Sequence, residues 1–266
     1  PGIWGFDGSS SNQAAGDQSA VVLNPVLVVN DPIRKGKNKL VMCETLLTDM
    51  TPHPTNTRAK AAASAEQFSE MDMWFGLEQE YTFFEGNSPL GWPDNGFPAP
   101  QGGYYCGVGS DEIFGREVVN AHLDACIEAG LHISGINAEV MPGQWEFQIG
   151  PVAAPLIGDE MWLARWLLYR IAEDYLGPKG MPISATLDPK PLVLLLLRHS
   201  VHPASQNFTS PTTVQVLNFD SPVPTRHNVS MNSHSVYPTV ALRLEFLGRL
   251  KRQERVTSKT DDQMPT

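Results

Sequence analysis

The sequence predicts an α+β fold, with a small sheet first and then strands alternating with amphipathic helices. Three observations carry this. Val21-Val22-Leu23, Val26-Leu27-Val28-Val29 and Lys39-Leu40-Val41-Met42-Cys43 are β-branched and apolar runs bounded by Asn, Pro and Gly, the composition of strands. Leu77–Phe83 and Gly143–Ile149 alternate polar and apolar residues with period two, as half-buried strands do. Three segments, 57–70, 111–129 and 161–173, repeat apolar residues at helical spacing.

Taken in order, Phe6-Asp7-Gly8-Ser9-Ser10-Ser11-Asn12 is a polar, turn-forming loop and 20–48 a small sheet. Thr51-Pro52-His53-Pro54-Thr55-Asn56 is a stiff linker, because each residue before a Pro is pushed away from helix. The Ala-rich helix 57–70 places Ala61, Ala65 and Phe68 on one side. Trp74–Phe84 is strand-like, and the loop 86–109, rich in Gly, Pro and aromatics, is long enough to expect a function for it. The helix 111–129 aligns Ile113, Val118, His122 and Cys126 before Gly130; His122 is expected as a satisfied core histidine. Strands are expected at 133–140 and 143–149. In the helix 161–173, Trp162, Trp166 and Tyr169 at i, i+4 and i+7 are expected to be core.

Composition bounds the function. The chain has 266 residues, 41% apolar and 18% charged, with net charge −10 and 22 each of Gly and Pro. That excludes a disordered chain. The longest apolar run, Leu192–Leu197, is far below the roughly 20 residues that cross a bilayer. An acidic chain argues against nucleic acid or an anionic membrane as partner. Cys43, Cys106 and Cys126 are too widely spaced for a disulfide framework or zinc site and read as reduced thiols. The expected location is the cytoplasm, with a plastid as alternative; the sequence opens on Pro1-Gly2-Ile3-Trp4 without Met, so its start says little about targeting.

Charge and Gly both change near position 190. Residues 1–190 hold 11 Lys and Arg against 24 Asp and Glu, and residues 191–266 hold 8 against 5. Of 22 Gly, 21 precede position 191. The last 76 residues follow no sustained apolar period, so this tail is expected to be poorly ordered.

The chemistry lies in carboxylates. Glu78 and Glu80 share one face of a strand, opposite Leu77, Tyr81 and Phe83. Gln144, Glu146 and Gln148 repeat the pattern opposite Trp145, Phe147 and Ile149, and Glu139 stands just before. A single such Glu would simply face water. Several together repel, and the remedies are a shared proton or a divalent cation. An all-oxygen donor set suits Mg²⁺ or Mn²⁺ better than zinc, and such cations accompany phosphate chemistry. A glycosidase pair remains compatible with the spacing. Neither GxxxxGK[ST] nor GxGxxG occurs, so an ATP site here is not a P-loop.

Longer strings resemble a known family. Trp4-Gly5-Phe6-Asp7-Gly8-Ser9-Ser10, Phe75-Gly76-Leu77-Glu78-Gln79-Glu80-Tyr81, Gly91-Trp92-Pro93, Gly102–Gly109, Asn137–Pro151 and Thr186–Pro191 closely resemble glutamine synthetase of the eukaryotic-like class II, nearly continuously over 3–191. Strings this long disfavour the glycosidase. The resemblance implies a partial N-terminal β-grasp domain over 1–50, a catalytic-domain portion over 51–191 built on an antiparallel sheet with flanking helices, and a divergent tail over 192–266. It implies that Glu80, Glu139 and Glu146 bind the metal near glutamate and that Glu78 binds a second metal against the ATP phosphates. It further implies that Glu146, Phe147, Gln148, Ile149, Gly150 and Pro151 border the nucleotide. Asp7, with Ser10, would take a proton from ammonium at the neighbouring subunit's site, in a homo-oligomer. The implied reaction joins ammonia to L-glutamate through γ-glutamyl phosphate, with ATP as substrate and Mg²⁺ or Mn²⁺ as cofactor.

The resemblance also has limits. The chain opens inside the family's first domain. After Pro191, Leu192–Leu197 stands where the family continues with Asn-Gly-Ala-Gly-x-His, a part that holds its His ligand, its glutamate-binding Arg residues and its flap Glu. The expectation is a glutamine synthetase sequence incomplete or mispredicted at both ends and inactive as written. The alternative is a non-catalytic metal- or nucleotide-binding or assembly partner.

Overall fold

A computed structural model of the chain describes residues 1–100, 103–188, 192–197 and 214–217, the last two stretches by their backbone alone. The architecture is α+β. β1 (Trp4–Asp7), β2 (Ala20–Asn30) and β3 (Lys39–Leu46) form a three-stranded antiparallel sheet in the order β1-β2-β3. The register of β2 on β3 shifts between Pro25 and Leu27, where Pro25 has no N–H to give to the ladder. Asn56 accepts from the Ala59 N–H at 3.1 Å and caps α1 (Thr57–Gln67). No α1 residue is buried and Phe68 is exposed, so the Ala61/Ala65/Phe68 line covers no core.

The second sheet is centred on β4 (Met73–Glu85). One edge of β4 pairs with β7 (Gln144–Ala153), which pairs in turn with β6 (Ile133–Ala138). The other edge pairs with β8 (Ile183–Leu187) and β9 (Leu192–Leu197), and β10 (Val214–Leu217) lies outside β9. β5 (Ser88–Pro89) turns back onto the end of β4. All these pairings are antiparallel. The expectation of a poorly ordered tail otherwise concerns 198–213 and 218–266, which lie outside the described residues.

Tyr81, Phe83, Trp145, Phe147 and Ile149 cover one face of this sheet. Upon them pack α2 (Arg116–Ala129), through Val118, Val119 and Cys126, and α3 (Leu156–Ala172), through Met161, Ala164, Leu167 and Leu168. With α2 and α3 both on this side, the other face is left to the polar residues of the alternation.

Three expectations are corrected. The helix expected at 111–129 starts at Arg116, because Gly115 at φ +86 is left-handed and a Cβ there would come within 2.7 Å of the Phe83 ring. The helix expected at 161–173 starts a turn earlier, at Leu156. Its aromatic stripe is not core: Trp162 is 60% exposed, Trp166 37% and Tyr169 46%. The side that went inward is the one with Met161, Ala164, Leu167 and Leu168. The guanidinium of Arg165 instead lies over the Trp162 ring at 5.1 Å. His122 is in the core as expected but not fully satisfied: Nε2 lies 2.9 Å from the Ala164 carbonyl, while Nδ1 has no partner among the described residues. Burial pushes it down to about 4.

Candidate metal centre

The polar face of β4, β6 and β7 gathers the carboxylates that the alternation predicts. Glu80 stands opposite Glu146 and Glu78 opposite Gln148 across the β4–β7 ladder, and Asn137 of β6 stands opposite Glu146. Glu139 follows β6 at the mouth of the turn into β7, where its N–H donates to the Gln144 carbonyl at 2.9 Å. Glu80, Glu139 and Glu146 each bring a carboxylate oxygen to within 4.8 Å of the others. Glu139 and Glu146 are buried and Glu80 is half-buried.

Amides hold these carboxylates in place. Gln144 donates from Nε2 to Glu80 Oε2 at 2.9 Å, and Asn137 from Nδ2 to Glu139 Oε1 at 3.0 Å. Gln148 donates to Asn137 Oδ1 at 2.7 Å and to Glu146. Gly135 makes room for this, since a Cβ there would sit 2.4 Å from Gln148 Oε1. Below the ladder, Gln79 is fully buried, accepts from Arg165 Nε at 2.8 Å and donates to the Asp188 carbonyl at 2.9 Å. The same Asp188 returns its N–H to the Glu80 carbonyl at 3.0 Å. Arg165 therefore braces β4 from the helix side, a role its place among apolar helix residues does not announce.

Crowding is visible in the acidities. Burial, then the charges of Glu78 and Glu139, raise Glu146 to about 8. Burial, then Glu139, Asp188 and Glu78, raise Glu80 above the ordinary carboxylate range. Such groups share protons or take up a cation. The donor set is oxygen only, which fits a hard divalent ion such as Mg²⁺ or Mn²⁺. Glu78 lies outside the three-carboxylate group, although its charge acts on Glu80 and Glu146. Asp188, which crowds Glu80, belongs to no strand; only its place in the Thr186–Pro191 string marks it.

The remaining predicted residues divide. Gln148 is on the acidic face, whereas the Phe147 and Ile149 side chains lie in the core and present only backbone. Gly150, at φ +103, donates its N–H to the His132 carbonyl at 2.7 Å and leads into Pro151. Asp7 and Ser10 are at the other sheet: Asp7 ends β1 and caps the 3₁₀ turn Gly8–Ser11 that holds Ser10. Asp7 Oδ1 accepts from the Ser9 N–H at 3.0 Å and Ser9 Oγ at 2.6 Å, which holds this exposed carboxyl below its usual range.

No family profile matches the chain. A glutamine synthetase of Streptomyces viridochromogenes is 63% identical over 190 residues, covering 71% of this chain and 54% of its own length. One of Frankia alni is 59% identical over 191 residues, covering 72% and 53%. Over that stretch the chain is homologous to glutamine synthetase. Glutamine synthetase 2 cytoplasmic of Drosophila melanogaster (52% identity, 71% of this chain, 50% of its own) and the chloroplastic glutamine synthetase of Chlamydomonas reinhardtii (53%, 71%, 49%) extend the similarity to eukaryotes and to two compartments. Among solved structures, one described as the crystal structure of a novel glutamine synthase homolog aligns with 73% of this chain and 47% of its own. Its identity is 17% and the TM-score 0.48. The chain thus spans about half the length of the curated glutamine synthetases it matches. Among the described residues no helix is long and apolar enough to cross a membrane.

Proposed function

We propose that residues 1–191 form the metal-binding part of a glutamine synthetase active site. The observation that carries this reading is the convergence of Glu80, Glu139 and Glu146 within a stretch up to 63% identical to glutamine synthetases. In this reading the three carboxylates hold one Mg²⁺ or Mn²⁺, and Glu78 reaches a second beside the ATP phosphates. The cations, when bound, neutralise charge on the transferring phosphoryl group. The chain's own contribution is placement. The β4–β7 register sets Glu80 against Glu146, and Gln144, Asn137 and Gln148 orient carboxylate oxygens that would otherwise repel. The backbone of Glu146–Pro151 borders the nucleotide, with Gln148 as the side chain available on that face.

The substrates in this reading are L-glutamate, ammonium and ATP. ATP phosphorylates the γ-carboxylate, and ammonia then displaces phosphate to give glutamine. Asp7, with Ser10, takes the proton from ammonium at a neighbouring subunit in a homo-oligomer. The Ser9 bonds keep Asp7 negatively charged, which suits it to draw the ammonium cation in.

A second reading is a non-catalytic metal- or nucleotide-binding or assembly partner. It is favoured by Leu192–Leu197 standing where the family continues with Asn-Gly-Ala-Gly-x-His, and by a similarity confined to 71% of this chain. In both readings Mn²⁺ binds at the three carboxylates. Titration calorimetry on the full chain should show Mn²⁺ uptake that is lost in Glu80→Ala and Glu146→Ala. Equal binding by all three proteins defeats the metal assignment. A γ-glutamyl transfer assay then separates enzyme from partner.

A further inference from the structure

The turn bearing Asp7 and Ser10 is exposed and short of apolar residues, so packing does little to hold it. A closed circuit of hydrogen bonds ties it to the Thr51–Asn56 linker instead. His53 is buried at 5% exposure. The Thr55 N–H donates to its Nδ1 at 3.2 Å, which makes Nδ1 the bare ring nitrogen and puts the hydrogen on Nε2. Nε2–H donates to the Gln13 carbonyl at 2.8 Å. Gln13 answers with its side chain, donating from Nε2 to Thr55 Oγ1 at 3.0 Å, and Oγ1 lies 2.9 Å from His53 Nδ1. Ser11 Oγ joins by donating to Gln13 Oε1 at 2.7 Å.

Both ends of the circuit are anchored. On the linker side, the His53 N–H donates to the Thr45 carbonyl at 3.1 Å, and the Asn56 N–H to the His53 carbonyl at 2.8 Å. On the turn side, the Gln13 and Ala14 N–H groups donate to the Gly8 carbonyl at 2.8 and 3.2 Å, and Gly8 donates to Ser19 at 2.7 Å. Gly8 is buried against Val21, where a Cβ would meet Cγ2 at 2.5 Å. Holding Gln13 therefore holds Gly8, and with it the neighbouring Asp7.

We propose that His53 is a positioning residue: with Thr55 and Gln13 it latches the Gly8–Ala14 turn and so sets the direction of Asp7 and Ser10. The functional value of the latch rests on the ammonium-site reading above, but its existence is tested without metal or turnover. Neutral bonds in a closed, mutually polarising circuit lose more than one partner when a member is removed.

The test is amide hydrogen exchange on the full chain, comparing wild type with His53→Ala, Thr55→Val and His53→Gln. The Gln13 and Ala14 amides should exchange ~10-fold faster or more in the first two, at unchanged rates for Val22 and Val28 of β2. His53→Gln, whose amide N–H can reach the Gln13 carbonyl, should restore most of the protection. Thr55→Val removes only a hydroxyl and decides the matter if His53→Ala disturbs the whole sheet. Imidazole ¹⁵N shifts at neutral pH should show a bare Nδ1 and a protonated Nε2. The Asp7 carboxyl should titrate closer to its usual range in Thr55→Val. Unchanged turn exchange in Thr55→Val, a hydrogen on Nδ1, or an unmoved Asp7 titration overturns the proposal. Absence of turnover in the γ-glutamyl transfer assay would defeat the ammonium-site reading and leave all three measurements standing, so the two failures are distinguishable.

Discussion

The acidic centre and the Asp7 turn use the same functional group under opposite conditions. In the centre, burial and like charges raise Glu146 to about 8. In the turn, an exposed Asp7 is pulled down by the Ser9 hydroxyl and N–H. The centre is made by register: residues 80, 139 and 146 meet because three strands align. The turn is made by bonds between residues a few positions apart, plus one latch. The difference teaches that burial and like-charged neighbours hold a proton on a carboxyl, whereas in water a pair of donors is enough to keep one charged.

The strongest way to break this comparison is to remove what aligns the strands. Phe147 lies directly behind the centre, fully buried between Tyr81 and His122. Phe147→Ala should cost about 3–5 kcal/mol in urea unfolding and abolish Mn²⁺ uptake with no ligand touched. A variant that unfolds like wild type would mean the face is not held by the core. Next, Glu146→Gln should weaken Mn²⁺ binding by about 100-fold or more, beyond the ~10–100-fold of an outer-shell loss. It should not lower the melting temperature of the metal-free chain, because one crowded buried carboxylate has gone. A large drop in that temperature would make Glu146 structural.

His122 sharpens the comparison, since burial acts there on a base and with the opposite sign. Its folded value, about 4, lies below the ~6.5 of an unfolded histidine. Between these the unfolded chain binds a proton that the folded chain refuses, so stability falls as the pH falls through that window. From pH 7 to 5 this group should remove about 2 kcal/mol. His122→Gln should lack that part of the loss when both proteins are unfolded in urea at the two pH values. Parallel profiles would show that His122 finds a partner for its charge. The smallest effect belongs to the outer surface: Trp162→Ser should change stability by less than about 0.5 kcal/mol, given 60% exposure. A larger loss would put the aromatic stripe back into a packed interface.

The sequence by itself determined the alternation in 77–83 and 143–149, and hence that Glu78, Glu80 and Glu146 would oppose Tyr81, Phe83 and Phe147. Period two is a local property of an extended chain, so it survives without knowledge of the fold. The 20–48 sheet and the turn at Asp7 were legible for the same reason, from β-branched runs and Asp-Gly-Ser chemistry. Tertiary structure decided what depends on partners remote in sequence. Which side of α3 faces inward was one such choice, because Trp162 and Leu168 are both apolar and only the fit to the sheet chooses between them. The start of α2 at Arg116 was another, set by the Phe83 ring against Gly115. The bracing of Gln79 by Arg165 and the His53–Gln13 latch span 86 and 40 positions. No periodicity connects such residues; only the folded chain brings donor and acceptor within reach.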